Sequence, residues 1–153
     1  MTMTVRFNEK DLENLDNLAS EEKREFVKVP YGRYEVAVAG IWCKENQYGI
    51  PRVTVRFKVV NGEFEGNSIF YNQNVDDVWK FKLVAKLLNS LKTDVNFSSS
   101  TYVFDGVVDF DAYNKMLNDV FDDIDSNGYE YALDYIENSK GYPTYTITDV
   151  FTD

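Results

Sequence analysis

Residues 29–74 read VPYGRYEVAVAGIWCKENQYGIPRVTVRFKVVNGEFEGNSIFYNQN, and this stretch predicts a meander of three β-strands. Its middle segment, residues 52–60, alternates strictly between apolar and polar side chains. The apolar set is Val53, Val55, Phe57 and Val59, and the polar set is Arg52, Thr54, Arg56 and Lys58. Such alternation is typical of a strand with one face in the core and the other in solvent. The polar face carries three positive charges, although the net charge of the chain is -10.

The neighbouring strands are predicted from the turns and breaks around them. The first runs over residues 33–44, and Gly40 within it indicates a β-bulge of the kind that bends strands in small barrels. The pair Asn61-Gly62 suits a type I′ hairpin turn, because both central residues of that turn need positive φ. The third strand is predicted over residues 67–73.

Helices and further strands follow the meander. Asn74 is expected to cap a helix whose apolar stripe anchors it in the core, with Trp79 as the largest anchor. That stripe consists of Trp79, Leu83, Leu87 and Leu91. We further predict a strand over residues 101–109, a helix over 111–123, and a closing hairpin of strands 129–135 and 142–151. Residues 1–28 are expected to form an N-terminal helical arm, which leaves 29–153 as a single domain.

The residue composition limits the chemistry that this chain can perform. One cysteine and no histidine rule out an internal disulfide, a Cys/His zinc cluster and nucleophilic triads with His as the base. The sequence has no apolar run of membrane-spanning length, and its N-terminus lacks the apolar middle region of a signal peptide. We therefore expect a cytoplasmic protein that is not an enzyme and requires no cofactor or metal.

The charges are unevenly distributed along the chain. Residues 31–93 hold nine basic and six acidic side chains, a net charge of +3, whereas residues 94–153 hold two basic and 13 acidic ones, a net charge of -11. This asymmetry is typical of an anion-binding face next to an acidic region that solubilises the protein or faces a partner.

One acidic segment, residues 123–134, imitates a calcium-binding loop. Its sequence is DIDSNGYEYALD, with Asp123, Asp125, Asn127 and Gly128 at positions one, three, five and six. Position 12, however, holds Asp134 in place of the usual bidentate Glu, and residues 129–135 alternate like a strand. The favoured interpretation is a helix that ends at Asn127-Gly128 and turns into a strand.

The order of these elements predicts a mainly β, α+β domain. Three meander strands, a helix and further strands match the OB-fold, a five-stranded Greek-key barrel whose strand 2–3 face and loops bind oligonucleotides or oligosaccharides. The acidic helix near residues 111–124 and the C-terminal hairpin are expected to be additions to that barrel. The charged middle strand would be strand two, at the centre of the binding face.

Several segments also resemble a known family. They are VPYGRYEVAV (29–38), YGIP (48–51), VRFKVVNGEFEG (55–66) and FKLVAKLLNSL (81–91), with a looser echo in KGYPTYTITDVF (140–151). They are similar to the small single-stranded DNA-binding proteins encoded by phages and prophages of Gram-positive bacteria. The resemblance covers roughly the first two-thirds of the chain and implies a role in phage DNA replication or recombination within the host cytoplasm.

Binding of single-stranded DNA with little sequence specificity is accordingly the favoured function. Such sites combine cations for the backbone with aromatic rings on which bases stack. The expected cationic contacts are Arg33, Lys44, Arg52, Arg56 and Lys58, and the expected stacking platforms are Trp42, Tyr48 and Tyr71. The alternatives are a solvated strand face paired with neighbouring glutamates, and core packing for Trp42.

A different class of function would use the acidic surface. Seven aspartates could imitate the phosphates of DNA, or dock replication or recombination proteins of the phage or host. They are Asp105, Asp109, Asp111, Asp119, Asp122, Asp123 and Asp125. Exposed strand edges also make a homodimer a reasonable expectation.

Overall fold

The computed structural model describes residues 28–152, together with residues 6, 8–10 and 13. The predicted N-terminal arm therefore lies almost entirely outside the described residues. The elements in chain order are β1 (Gly32–Glu45), β2 (Pro51–Val59), β3 (Ser68–Asn74), α1 (Val78–Ser90), a 3₁₀ turn (Ser99–Thr101), β4 (Val103–Phe104), β5 (Val107–Val108), α2 (Phe110–Ser126), β6 (Glu130–Glu137) and β7 (Pro143–Phe151). The α+β class predicted from the sequence is confirmed.

Five strands form one antiparallel sheet in the order β3-β2-β1-β6-β7. The ladder ends at β3 and β7 within residues 28–152, but side chains connect these two edges. The hydroxyl of Tyr145 on β7 donates a hydrogen bond to the carbonyl oxygen of Phe70 on β3 at 2.7 Å. The rings of Tyr145 and Tyr71 meet edge to face, with centroids 5.2 Å apart.

The predicted bulge at Gly40 is confirmed. The register between β1 and β2 shifts between Val38 and Gly40, so that Ala39 is the extra residue. Because side chains alternate along a strand, the extra residue changes which positions face inwards. Val36 and Val38 point into the core on one side of the bulge and Ile41 does so on the other.

The core lies between the inner face of this sheet and the two helices. The apolar set of β2 is completely buried, as its alternation predicted. Helix α2 packs on β1 through a buried stripe of Tyr113, Met116, Leu117, Val120 and Ile124. The Tyr131 hydroxyl donates a hydrogen bond to the carbonyl oxygen of Leu91 at 2.7 Å. This one bond satisfies both the buried hydroxyl and the carbonyl oxygen just beyond the end of α1.

One predicted turn and one predicted strand were wrong. Asn61-Gly62 does not form a two-residue turn, because Gly62 has positive φ but Asn61 does not. An eight-residue connection over 60–67 takes its place, with a second positive-φ glycine at Gly66. The strand predicted over 101–109 is instead a 3₁₀ turn followed by the two-residue strands β4 and β5, since Asp105 and Gly106 turn the chain with φ of 52° and 77°.

The prediction that the C-terminal hairpin and the acidic helix are additions also needs correction. β6 pairs with β1 over residues 130–135, so the hairpin supplies two of the five strands of the main sheet. Helix α2 provides a large part of the core beneath β1. The small β4–β5 hairpin is the only strand pair outside the main sheet within residues 28–152.

Helix α1 starts later than predicted. Its N-cap is Asp77, whose side chain accepts from the amide of Val78, whereas Asn74 is the last residue of β3. The buried side chains of α1 are Val84, Leu87 and Leu88. Trp79 is 54% exposed, so the expectation that it anchors the core was wrong.

Candidate nucleic-acid interface

The outward-facing residues of β2, of β3 and of β1 from Gly40 onwards form one continuous surface, here called the outer face. Strand register places Lys44, Trp42 and Gly40 of β1 opposite Arg52, Thr54 and Arg56 of β2, and β3 continues each row. The outer face consists of Gly40, Trp42, Lys44, Arg52, Thr54, Arg56, Lys58, Ser68, Phe70, Asn72 and Asn74. It carries four cations and no carboxylate, although the whole chain has a net charge of -10.

The six-membered ring of Trp42 lies against Gly40 on this surface. A Cβ atom added at Gly40 would lie 2.7 Å from Cζ3 of the Trp42 ring, closer than packed atoms approach. The glycine therefore lets the indole ring rest against the backbone of β1, as well as forming part of the bulge. Trp42 is half-buried and is not part of the core cluster, so the outer face receives a ring fixed in orientation. Core packing, the alternative for Trp42, is thereby disfavoured.

The two arginines are held by neutral partners from β3. Nε of Arg56 donates to Oγ of Ser68 at 2.9 Å, and Nε of Arg52 donates to Oδ1 of Asn74 at 3.3 Å. Between them Oγ1 of Thr54 donates to Oδ1 of Asn72 at 2.8 Å. These bonds orient the guanidinium groups without neutralising them. The three ion pairs found among the described residues involve none of the outer-face cations.

The remaining predicted cations and the loop tyrosine lie at the margins of the outer face. Lys44 and Lys58 are exposed near its two ends. Tyr48 is 77% exposed in the β1–β2 loop, next to the Lys44 end. Asn46 shapes that loop, because its Oδ1 accepts from the amides of Tyr48 and Ile50 at 2.8 and 3.1 Å.

Phe70 takes the position that the sequence analysis gave to Tyr71. Register places Phe70 opposite Arg56 on the outer face, where it is 38% exposed. Tyr71 pairs with the fully buried Val55 and packs against the core from the inner face. Burial raises the pKa of Tyr71 to about 12, in keeping with a phenol removed from solvent. In a run of three apolar residues, Ile69-Phe70-Tyr71, the sequence alone leaves the faces unassigned.

Arg33 does not join the other cations. It lies at the opposite end of β1, where its Nε donates to Oδ1 of Asp134 at 2.7 Å and Nη2 donates to Oδ2 at 3.3 Å. The hydrogen bond from Arg33 holds the pKa of Asp134 below its ordinary value. Arg33 also lines a groove of about 780 Å³, together with Glu35, Glu63 and Asp149. These carboxylates make this groove, here called the acidic groove, unsuitable for a phosphate backbone.

The calcium-like segment has the conformation favoured by the sequence analysis. Helix α2 continues to Ser126, Gly128 turns the chain with φ of 67°, and Glu130 begins β6. Asp123 is used structurally, because its Oδ2 accepts from Oγ1 of Thr93 at 2.8 Å and from the amide of Asp94 at 2.9 Å. No cluster of three metal-ligating side chains occurs among the residues that the structure describes.

The single cysteine is partly buried against the core and has little reactivity. Cys43 faces inwards on β1, and its amide donates to Oδ1 of Asn114 on α2 at 2.8 Å. Burial raises the pKa of its thiol to about 11, so the reactive thiolate is scarce at neutral pH. None of the described helices is long and apolar enough to cross a bilayer.

Comparison with known proteins identifies the family. Curated proteins provide no match to the sequence. Residues 16–124 match a family model described as "Protein of unknown function (DUF669)", a region that includes the whole meander, α1 and nearly all of α2. The chain belongs to this DUF669 family.

Proposed function

We propose that the protein binds single-stranded DNA on its outer face, with little sequence specificity. The observation that carries this proposal is the composition of that face: four cations, a fixed indole ring and an exposed phenylalanine, without a carboxylate, on a strongly acidic protein. In other proteins, sites that bind single-stranded nucleic acid combine a positive surface with aromatic platforms, because every base has a face that can stack. Each stacked base contributes about 1–3 kcal/mol, so two platforms give useful affinity.

The strand order supports an OB-type barrel as the framework of this site. The order β3-β2-β1-β6-β7 corresponds to a five-stranded Greek-key barrel in which β6 and β7 are the fourth and fifth strands. β3 and β7 would be its closing edges, and the contacts of Tyr145 with Phe70 and Tyr71 lie between those edges. The outer face then occupies the strand 2–3 surface that OB-folds use for oligonucleotides.

The hydrogen bonds of the outer face suit a ligand that the protein recognises by its shape and charge. Arg52 and Arg56 are oriented by Asn74 and Ser68, and arginine suits phosphate because its planar fork can donate two parallel bonds. Asn72 and Thr54 bond to each other, so they offer few fixed groups for reading base edges. Low sequence specificity follows. On the basis of the family resemblance, we extend this proposal to a role in phage DNA replication or recombination.

A titration with labelled strands tests the proposal. A fluorescent poly-pyrimidine single strand and the matching duplex are titrated with protein at low and at physiological salt. We expect preference for the single strand, with log K falling by about 0.7 per phosphate contact for each unit of log salt, or about 3 if all four cations make contacts. Equal affinity for duplex, or no binding at low salt, would falsify the proposal.

A partner-binding role for the acidic half is less well supported by the contacts. Asp109 caps α2 by accepting from the amide of Ala112 at 3.1 Å, and Asp119 pairs with Lys115 at 2.9 Å. Since Asp123 also accepts two hydrogen bonds, three of the seven aspartates already have partners within the chain. The same aspartates repel nucleic acid, which would restrict a bound strand to the outer face.

A further inference from the structure

Helix α1 carries a solvent-exposed stripe whose composition resembles that of the outer face. Trp79, Lys82, Leu83 and Lys86 are three or four residues apart, so they share one side of the helix. All four are exposed, with Trp79 at 54% and Leu83 at 40%, while the opposite side contributes Val84, Leu87 and Leu88 to the core. Contiguous exposed apolar side chains, unlike isolated ones, mark contact surfaces, and Trp79 and Leu83 are neighbours one turn apart on this side.

The charges of this helix favour an anionic partner. Residues 78–90 contain three lysines and no acidic residue. The two aspartates just before the helix are occupied, because Asp77 caps the amide of Val78 and Asp76 pairs with Lys80 at 2.6 Å. That bond from Lys80 lowers the pKa of Asp76. Lys82 and Lys86 form none of the ion pairs found among the described residues.

The stripe begins close to one end of the outer face. Asn74 is the last outer-face residue of β3, and Trp79 follows it by five residues, which span at most about 18 Å of chain. The connection is fixed to the sheet, because the amide of Val75 donates to the carbonyl oxygen of Pro51 at 2.9 Å and the Val75 side chain is buried. Lys44, Arg52 and Tyr48 lie at this same end.

We propose that this stripe of α1 is a second contact zone for the same single strand, continuing its path beyond the Asn74 end of the outer face. This inference rests on the proposed function of the outer face. Trp79 stacks a base, as Trp42 does on the sheet, and Lys82 and Lys86 contact the phosphates next to it. Long strands therefore gain affinity that short strands do not, and the occluded site is longer than the sheet alone provides.

The two tryptophans make the test direct, because the chain contains only Trp42 and Trp79. Trp42→Phe leaves Trp79 as the sole indole reporter and retains an aromatic platform, and Trp79→Phe does the reverse. Each variant is titrated with oligo-dT of about 5 and about 15 nucleotides, within the range that single OB-folds occlude. We expect Trp42 emission to be quenched by both strands and Trp79 emission by the longer strand only.

Affinities provide the second measurement. Trp79→Ala should weaken binding of the longer strand by about 5-fold or more, the loss of one stacked base, and leave the shorter strand within about 2-fold. Lys82→Glu with Lys86→Glu should show the same length dependence. Tyr142→Ala is the matched control, because it removes an exposed aromatic ring from the β6–β7 turn.

The outcomes separate the two proposals. Quenching of Trp42 with unchanged Trp79 emission, and wild-type affinity of Trp79→Ala for the longer strand, would refute the α1 zone and leave the outer face intact. If a protein partner occupied the stripe instead, these same results would be obtained. Absence of binding by the wild-type protein at either length would overturn both proposals.

Discussion

The outer face and the acidic groove are two parts of one sheet with opposite chemistry. Both use β1: the outer face lies on its second half beside β2, and the acidic groove on its first half beside β6 and β7. In the outer face Arg52 and Arg56 are held by an asparagine and a serine, whereas in the groove Arg33 is held by a carboxylate. The same residue type is thus available to an anion in one region and neutralised in the other.

The partner of a cation therefore decides its role more than its position in a charged stretch of sequence does. Arg33, Lys44, Arg52, Arg56 and Lys58 belong to one basic segment of the chain. Only the fold shows that β6 brings Asp134 to Arg33 from 101 residues away. Surface ion pairs contribute little to stability, but they remove a charge from use by a ligand.

The largest effect is expected from reversing charges on the outer face. Arg52→Glu with Arg56→Glu should weaken binding of single-stranded DNA by at least about 100-fold, since each hydrogen bond to a charged group contributes about 1.5–3 kcal/mol. The measurement is fluorescence anisotropy at fixed salt. Lys115→Glu with Lys140→Glu changes the net charge equally in the acidic half and is the matched control. An equal loss in both double variants would show that net charge, and not the outer face, governs binding.

Removing the indole platform should have the next largest effect. Trp42→Ala should weaken binding by about 10-fold or more, the contribution of one stacked base. Gly40→Ala keeps the tryptophan but displaces its ring, because the new Cβ would lie 2.7 Å from Cζ3. It should therefore lose part of the same affinity while the thermal midpoint changes less than in a core variant. Wild-type affinity in both variants would remove Trp42 from the site.

A pair of neighbouring aromatic residues gives a finer test. Phe70→Ala should weaken binding about 5-fold, because Phe70 is exposed on the outer face beside Arg56. Tyr71→Leu, which removes the ring but keeps an apolar side chain, should bind like the wild type, since Tyr71 faces Tyr145 on the inner side. The binding curves of the two variants are compared at the same salt concentration. The reverse result would restore Tyr71 as the platform that the sequence analysis expected.

Much of the fold could be predicted from local patterns. The strict alternation of β2 predicted which side chains are buried and which are exposed. Gly40 predicted the bulge, and the apolar stripe of α2 predicted the face that packs on the sheet. In each case the signal lies within a few residues. It is the burial of an apolar face for β2 and α2, and the missing side chain of a glycine for the bulge. The turn at Asn127-Gly128 was predictable because glycine readily adopts the positive φ that the turn requires.

The errors share a different cause, which is dependence on distant residues. Whether the last hairpin is an addition depends on its pairing with β1, and nothing within residues 130–151 specifies that partner. Trp79 looked like a core anchor because it continues the helical stripe of Leu83, Leu87 and Leu91. The side of α1 that packs on the core instead runs through Phe81, Val84 and Leu88, which leaves Trp79 and Leu83 exposed. Asn74 is as good a cap residue as Asp77, and the length of β3 decides between them.

The smallest expected effect concerns the ion pair of the acidic groove, and its sign can be derived. Arg33 lowers the pKa of Asp134 in the folded state, so the pair stabilises the fold above the ordinary aspartate pKa. That stabilisation is lost as the pH falls through the lowered pKa, because the carboxylate then becomes protonated. Asp134→Asn should accordingly lower the thermal midpoint slightly at neutral pH, and the difference from the wild type should vanish in acid.

Affinity of Asp134→Asn for single-stranded DNA should stay constant or rise slightly, since Arg33 is released. A pronounced loss of affinity in Asp134→Asn would mean that the acidic groove and the outer face act together, and the separation drawn between them would fail.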